Sequence, residues 1–367
     1  MLLFITRKYP PSVGGMQKLS YHLTTEVSRR EEARIISWGR SQRWLPFFLI
    51  LAFVQAAWLL RRGVITLIHI GDLLLAPFGV LLRLLGRVPV VANAHGLDVI
   101  YPHPLYQLII PWCLRQLDCI ICNSQYTRSE CLKRGVSADR CVVIPPGINV
   151  EEYKPALSPE ERQRFAQCWG LSLDGRHILL TVGRLVPRKG IAPFVSQALP
   201  LLRQRREDWL YLIVGEGPER VTIEAAVAAH KLGDKVRLLG QVSEEELKAA
   251  YALADLFVMP NVPVAGDAEG FGMVTLEARA AGLPIVAADL EGIRESIENE
   301  DDGLLVPPED YAAYVQAIDF LLGRESTAAE VQRRRERIAA RYAWPRIAAR
   351  YLEVFRQVQA EYYTQRS

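Results

Sequence analysis

Ten short apolar runs punctuate this chain, and no other feature restricts its fold as much: residues 2–6, 64–70, 88–94, 119–123, 142–144, 178–182, 211–214, 236–239, 256–259 and 285–289. Runs this short and this apolar read as strands covered on both faces. Between them lie stretches with helical spacing. In 16–30, Leu19, Leu23 and Val27 fall on one stripe, and 76–85 repeats the pattern. Strand and helix in alternation argue for an α/β fold with doubly wound parallel sheets. A chain of 367 residues has room for two such domains, each with its own core. The polar, proline-bearing connection 151–173 divides them. The first domain is then 1–150 and the second 174–344. Residues 311–322 and 330–342 read as helices of the second domain, and 345–363 as a last helix.

Charge is unevenly placed. Residues 1–150 carry 17 Lys and Arg against 8 Asp and Glu, a net of +9, and the remainder carries −6. A basic first half suits an acidic partner such as a lipid head group or a polyanionic acceptor, or a solvated polar face. No aromatic platform or recognition motif accompanies it, so nucleic acid is not an expected partner. Residues 45–60 are the most apolar stretch and run into Arg61 and Arg62. Sixteen residues fall short of the ~20 that span a bilayer, and Pro46 and Gln55 interrupt them. A core helix and a membrane-surface helix, with Trp44, Trp58 and the arginines at the interface, are both open, so peripheral contact with an anionic membrane is one expectation. Met1-Leu-Leu-Phe-Ile reads as a strand and not as a signal segment, which points to the cytoplasm, with attachment to the inner face of the membrane. Cys119-Ile-Ile-Cys122 has half the spacing of a zinc site but lies inside an apolar run with no second pair. Two buried strand cysteines are expected, and no metal.

Several motifs point to one chemistry. Glu269-Gly-Phe-Gly-Met-Val-Thr-Leu-Glu277 sets a carboxylate and two glycines in a turn ahead of good helix formers, closed by Gly282 and Pro284. Such a helix start offers bare N–H groups and a positive dipole end to an anion, usually phosphate. A carboxylate beside a phosphate site makes sense when it accepts hydrogen bonds from hydroxyls, as on a sugar or a ribose. Glu269 and Glu277 are therefore expected to reach different parts of one ligand. Gly183-Arg184-Leu-Val-Pro-Arg188-Lys189-Gly190 follows a strand with two or three cations, which suits a diphosphate. Residues 10–17, Pro-Pro-Ser-Val-Gly-Gly-Met-Gln, join a strand to a helix through Gly14-Gly15, which is not the dinucleotide fingerprint. His95-Gly96 follows a strand at the sheet end where ligands bind. Gly240-Gln241-Val242 ends another strand. Glu300-Asp301-Asp302 reads as a solvated loop. No nucleophile–base pair is evident.

Taken in order, Gly14-Gly15, His95-Gly96, Gly183-Arg184 with Lys189-Gly190, and Glu269 with Glu277 as an E-x7-E motif resemble a retaining glycosyltransferase of family four, along essentially the whole chain. The resemblance implies the GT-B fold: two Rossmann-like domains facing a cleft, with the donor mainly on the second domain, the acceptor on the first, and the last helix (345–367) completing the first. It implies that Arg184 and Lys189 hold the diphosphate and stabilise the leaving group, that Glu277 binds the ribose and that Glu269 contacts the transferred sugar. Phe271, Gly272, Met273 and Val274 would offer backbone N–H groups to sugar or phosphate. Gly15 and Gly183 would border the phosphates, and Gly240, Gln241 and Val242 the base. His95 would face the transferred sugar near the acceptor, with Gln17 on the acceptor side. The implied catalytic set is His95, Arg184, Lys189 and Glu269. The implied mechanism is front-face, the departing phosphate helping to deprotonate the acceptor. No cofactor and no bound metal are implied, and the co-substrate is a GDP- or UDP-linked sugar. Residues 10–17 and 185–188 are similar to phosphatidylinositol mannosyltransferase-like enzymes. That implies a mannosyl group and a lipid-linked or glycan acceptor in cell-envelope glycoconjugate synthesis. Residues 45–60 and 261–268 have no clear counterpart there and would select the acceptor. A non-catalytic sugar-nucleotide-binding protein, a phosphorylase and a sugar-nucleotide epimerase stay open as competing readings.

Overall fold

The computed structural model describes Met1–Thr364 apart from Val13, Asp174 and Glu325, with the backbone alone for Gln42. Val13 in the expected glycine loop, and residues 365–367 at the end of the expected last helix, lie outside the described residues. The chain divides into two compact units. Unit 1 comprises Met1–Gly147, Glu269–Phe271 and the chain from Tyr342 onward; unit 2 comprises Ile148–Ala268 and Gly272–Arg341.

Unit 1 is built on six parallel strands, β1 (Leu2–Thr6), β2 (Ala33–Ser37), β3 (Leu67–Ile70), β4 (Val90–Ala94), β5 (Cys119–Cys122) and β6 (Cys141–Val143), in the order β2-β1-β3-β4-β5-β6. The order reverses between β1 and β3, as in flavodoxin-like sheets, which places a binding crevice at those strand ends. Alternate residues along each strand face opposite layers. Leu3, Ile5, Ile68, Val90 and Ile120 share a core with the helices Leu45–Arg61, Ala76–Gly86 and Pro104–Leu114. Leu2, Phe4, Leu67, Val91 and Ile121 share the other with Gly15–Ser28 and Trp344–Thr364. The helix Pro104–Leu114 and strand β2 were not legible in the sequence. Pro104 reads as a breaker but sits in the first turn of its helix, where its missing N–H costs nothing. Arg34 and Ser37 break the apolar run of β2, which is an edge strand.

Unit 2 repeats the architecture with β7 (His177–Val182), β8 (Trp209–Val214), β9 (Val236–Gly240), β10 (Leu256–Met259), β11 (Ile285–Ala288) and β12 (Gly303–Val306), ordered β12-β11-β10-β7-β8-β9. Numbered within the unit this is 6-5-4-1-2-3, the order of dinucleotide-binding sheets, with its switch point between β7 and β10. Both sheets are parallel and doubly wound, as the alternation implied. One expectation is overturned in part. Glu300 and Asp301 are exposed in a turn as expected, but Asp302 is fully buried and its Oδ2 lies 2.7 Å from Arg279 Nη2. The cause is Arg279, 1% exposed on the helix Met273–Ala280, because a guanidinium inside a core requires a carboxylate partner.

Candidate active site

In unit 2, three glycines end adjacent strands and leave bare backbone at the crevice. Gly183 N–H donates to Val214 O at 3.0 Å, and Gly215 N–H to Gly240 O at 2.8 Å. A Cβ on Gly215 would stand 1.9 Å from Gly183 O, so no side chain fits there. The loop after β7 then presents its cations. Arg184 is exposed, and Lys189 is 7% exposed, its stem lying against Gly183. Gly190 holds the loop shut: its φ is 62°, and a Cβ would fall 2.0 Å from Pro260 O on the neighbouring loop. Arg188 forms an ion pair with Asp267 at 3.0 Å, a charge contact and not an aligned hydrogen bond. Of the two or three cations expected from sequence, Arg188 is engaged with the 261–268 loop through Asp267.

Across the switch point, the helix Met273–Ala280 begins at Gly272, whose φ of 77° suits glycine, and no side chain caps it. Met273 and Val274 are half-buried in its first turn. Glu277 lies deeper, 7% exposed. Its Oε2 accepts a hydrogen bond from Tyr251 Oη at 2.8 Å, and the Tyr153 phenol lies close enough to feel the carboxylate's charge. Burial, reinforced by that carboxylate, raises both phenols well above their ordinary range, so both stay protonated donors. A carboxylate has about four acceptor directions, so capacity remains for ligand hydroxyls. Neither tyrosine was singled out from sequence. Tyr251 sits at core spacing in the helix Glu244–Leu253, and Tyr153 lies in the polar connection. Gln241 is exposed and Val242 half-buried where β9 ends, and Ser243 closes the turn with a capping box to Glu246. Asn261, 1% exposed, keeps an Oδ1 without a hydrogen-bond partner among the described residues.

In unit 1, the β1/β3 crevice holds an ion pair between Arg7 Nε and the buried Asp72, 2.9 Å apart. His95 follows β4, with Nε2 2.9 Å from Gly71 O and its own N–H donating to Asp98 Oδ1 at 2.7 Å. A carbonyl only accepts, so Nε2 carries the hydrogen and a neutral ring leaves Nδ1 as an acceptor. Gly15 begins the first helix, and Gln17 donates from Nε2 to Ser12 Oγ at 3.3 Å. Glu269 is half-buried and Phe271 buried, its ring 6.0 Å from that of Tyr342. The E-x7-E motif is therefore divided: Glu269 and Phe271 group with unit 1, and Gly272, Met273, Val274 and Glu277 with unit 2. Cys119 and Cys122 point to opposite faces of β5, into different cores, so they do not act as a pair. Burial pushes the Cys119 thiol up to about 12.

Residues 13–152 match the model of Glycosyltransferase Family 4, and residues 169–340 that of Glycosyl transferases group 1. The GDP-mannose-dependent alpha-(1-6)-phosphatidylinositol monomannoside mannosyltransferase of Mycobacterium tuberculosis is 32% identical over 280 residues, covering 75% of this chain and 71% of the relative. The protein of the same name from Mycolicibacterium smegmatis is 29% identical over 351 residues, covering 89% and 91%. Among solved structures, Anabaena HepE in complex with UDP-glucose matches with a TM-score of 0.79 and 19% identity, over 97% of this chain and 99% of that one. At that identity the likeness is one of fold.

Proposed function

This chain belongs to the family-four glycosyltransferases, and from that premise we propose that it moves a mannosyl group from GDP-mannose to a lipid-linked or glycan acceptor of the cell envelope, with retention of configuration and without a bound metal. The observation that carries the donor class is the pairing of two unlike subsites across the β7/β10 switch point. On one side stand Arg184 and Lys189 over bare glycine backbone. On the other stands Glu277, a buried carboxylate oriented by the Tyr251 hydroxyl. Diphosphate and ribose require those two chemistries side by side. The mannosyl group and GDP rest on the named relatives.

In this reading Arg184 and Lys189 neutralise the departing diphosphate, and Glu277 accepts from the ribose hydroxyls. Gly240, Gln241 and Val242 border the base. Phe271, Gly272, Met273 and Val274 supply main-chain donors, and Glu269 contacts the transferred sugar. On unit 1, His95 offers Nδ1 as an acceptor, while Gly15 and Gln17 line the acceptor side. The leaving phosphate takes the acceptor proton, so the rate rests on positioning and on charge stabilisation. Lys189→Ala and Glu277→Ala are each expected to lower turnover of GDP-mannose by ~10²–10³, by analogy with the loss of one charge-stabilising donor. Both variants should still melt as cooperatively folded proteins, since one orphaned buried donor costs only ~1–3 kcal/mol. Near-parental turnover in either variant rejects the assignment. A thermal-shift series with GDP, UDP, ADP and their sugars in EDTA fixes the donor, since a ligand of the folded state raises the melting temperature. A selective UDP response removes GDP-mannose. The anomeric signal of the product reads retention directly.

A further inference from the structure

The helices Leu45–Arg61, Ala76–Gly86 and Pro104–Leu114 pack side by side on one face of the unit 1 sheet. The inward stripe of the first is Phe48, Ala52 and Ala56, all buried. Its outward stripe is also apolar: Phe47, Ile50, Leu51, Val54 and Trp58 recur at i, i+3, i+4, i+7 and i+11, and all are exposed. The second helix exposes Leu81, Leu84 and Leu85, and the third Leu105, Leu108, Ile109 and Trp112. Exposure reaches 64% at Ile50, 68% at Leu84 and 72% at Leu108, so these are open side chains and not the rim of a core. A helix that is apolar on both sides is one that is covered on both sides, and three such helices in a row make a patch that water alone does not explain.

The charges around this patch are of one sign. Residues 38–117 contain seven arginines, two aspartates, no lysine and no glutamate. Asp72 is buried against Arg7, and the Asp98 carboxylate is occupied by the main-chain N–H groups of His95 and Leu73. The arginines stand at the helix ends: Arg43 before the first helix, Arg61 and Arg62 closing it, Arg87 after the second and Arg115 after the third, all exposed. The Arg62 guanidinium carbon lies 3.6 Å from the centre of the Trp58 ring, a cation over an aromatic at the patch border. Among the described residues no helix is long and apolar enough to cross a membrane.

We propose that this three-helix face docks on the surface of an anionic lipid bilayer, with its apolar stripes at the acyl boundary and its arginines among the head groups. A second copy of the chain fits the same patch less well. A two-fold contact pairs a surface with itself, which here would oppose arginine to arginine with no exposed carboxylate within 38–117 to separate them. The inference goes beyond sugar transfer and does not depend on it. Leu97 and Tyr101, 36% and 49% exposed, lie in the sequence between His95 and the third helix, so the open apolar surface extends toward the proposed acceptor side.

The test is sedimentation of the full chain with vesicles of phosphatidylcholine, with and without phosphatidylglycerol. The chain should pellet with the anionic vesicles and be released by salt. Replacing both tryptophans (Trp58→Ser with Trp112→Ser) should lower the partition coefficient at least ~10-fold, in line with the apolar area withdrawn. Arg43→Gln and Arg62→Gln should each lower it about fivefold. Melting curves establish that the variants are folded, and quenching of the parent chain's tryptophans by brominated lipid needs no variant. A parent chain that stays in the supernatant, or a double tryptophan variant that pellets equally, overturns the proposal. So does a dimer that the tryptophan variant dissociates in the absence of any vesicle binding, which assigns the patch to a second copy.

Discussion

His69 shows how much a single side chain depends on its surroundings. It lies on β3, buried against the last helix, with Nε2 3.1 Å from Asn93 Oδ1 and the rings of Phe4, Tyr351 and Phe355 around it. Burial holds its pKa down to about 4. An unfolded imidazole titrates near ~6.5, so as pH falls the unfolded chain takes up the proton first. The neutral ring's contribution is complete above that value and is lost between it and pH 4, up to ~3 kcal/mol. Urea midpoints are expected to fall over this range, and His69→Phe should flatten that part of the profile. Tyr251→Phe is expected to weaken donor binding about tenfold by calorimetry, since a hydrogen bond to a charged group is worth ~1.5–3 kcal/mol. Glu277, Arg184 and Lys189 were legible because each belongs to a local pattern of turn, strand end and charge. Tyr251, Tyr153 and Asp267 were not, because what makes them matter is a contact from elsewhere in the chain. Tyr251 has the spacing of a core residue, and only tertiary structure aims its hydroxyl at a carboxylate.

Elements form where several local signals agree, and their boundaries carry measurable energy. Ser158 with Glu161 and Ser243 with Glu246 make complete capping boxes. Ser243→Ala should cost ~1 kcal/mol and lower the melting temperature by ~2–4 °C. Gly190→Ala combines a left-handed backbone with a collision against Pro260 O, so it should destabilise unit 2 by more than either cap does, read by denaturant titration. Most strands were legible from uninterrupted apolar runs. The exceptions, β2 and β12, are outermost strands of their sheets; Arg34 and Ser37 interrupt β2, and β12 is four residues that begin at a glycine directly after the acidic run. The run itself misled at Asp302. Charge density suggests solvent, but Arg279 draws Asp302 into the core. Arg279→Met should cost up to ~3–5 kcal/mol, because Asp302 keeps Arg337 at 3.1 Å from its Oδ1 but loses the buried partner of its Oδ2, while a joint change of Asp302 to Asn should recover part of it.

At the level of the whole molecule, the class of fold followed from alternation alone, but strand order did not. Alternation is local, whereas pairing β10 with β7, or β3 with β1, joins segments far apart in sequence. The two units share an architecture and differ in where their strand order reverses. Unit 1 also borrows its last layer from the far end of the chain: Ile347, Tyr351, Leu352 and Phe355 of Trp344–Thr364 cover Phe4, Leu67 and Val91. On the ribosome that layer is made roughly 200 residues after the sheet it covers, a delay of about 10–40 s at 5–20 residues per second. Through that interval one side of a nascent sheet is greasy and half-dressed. Successful synthesis of this protein therefore depends on whatever shields that surface until the final helix arrives, and a chain halted before Trp344 should collect with chaperones or in the pellet.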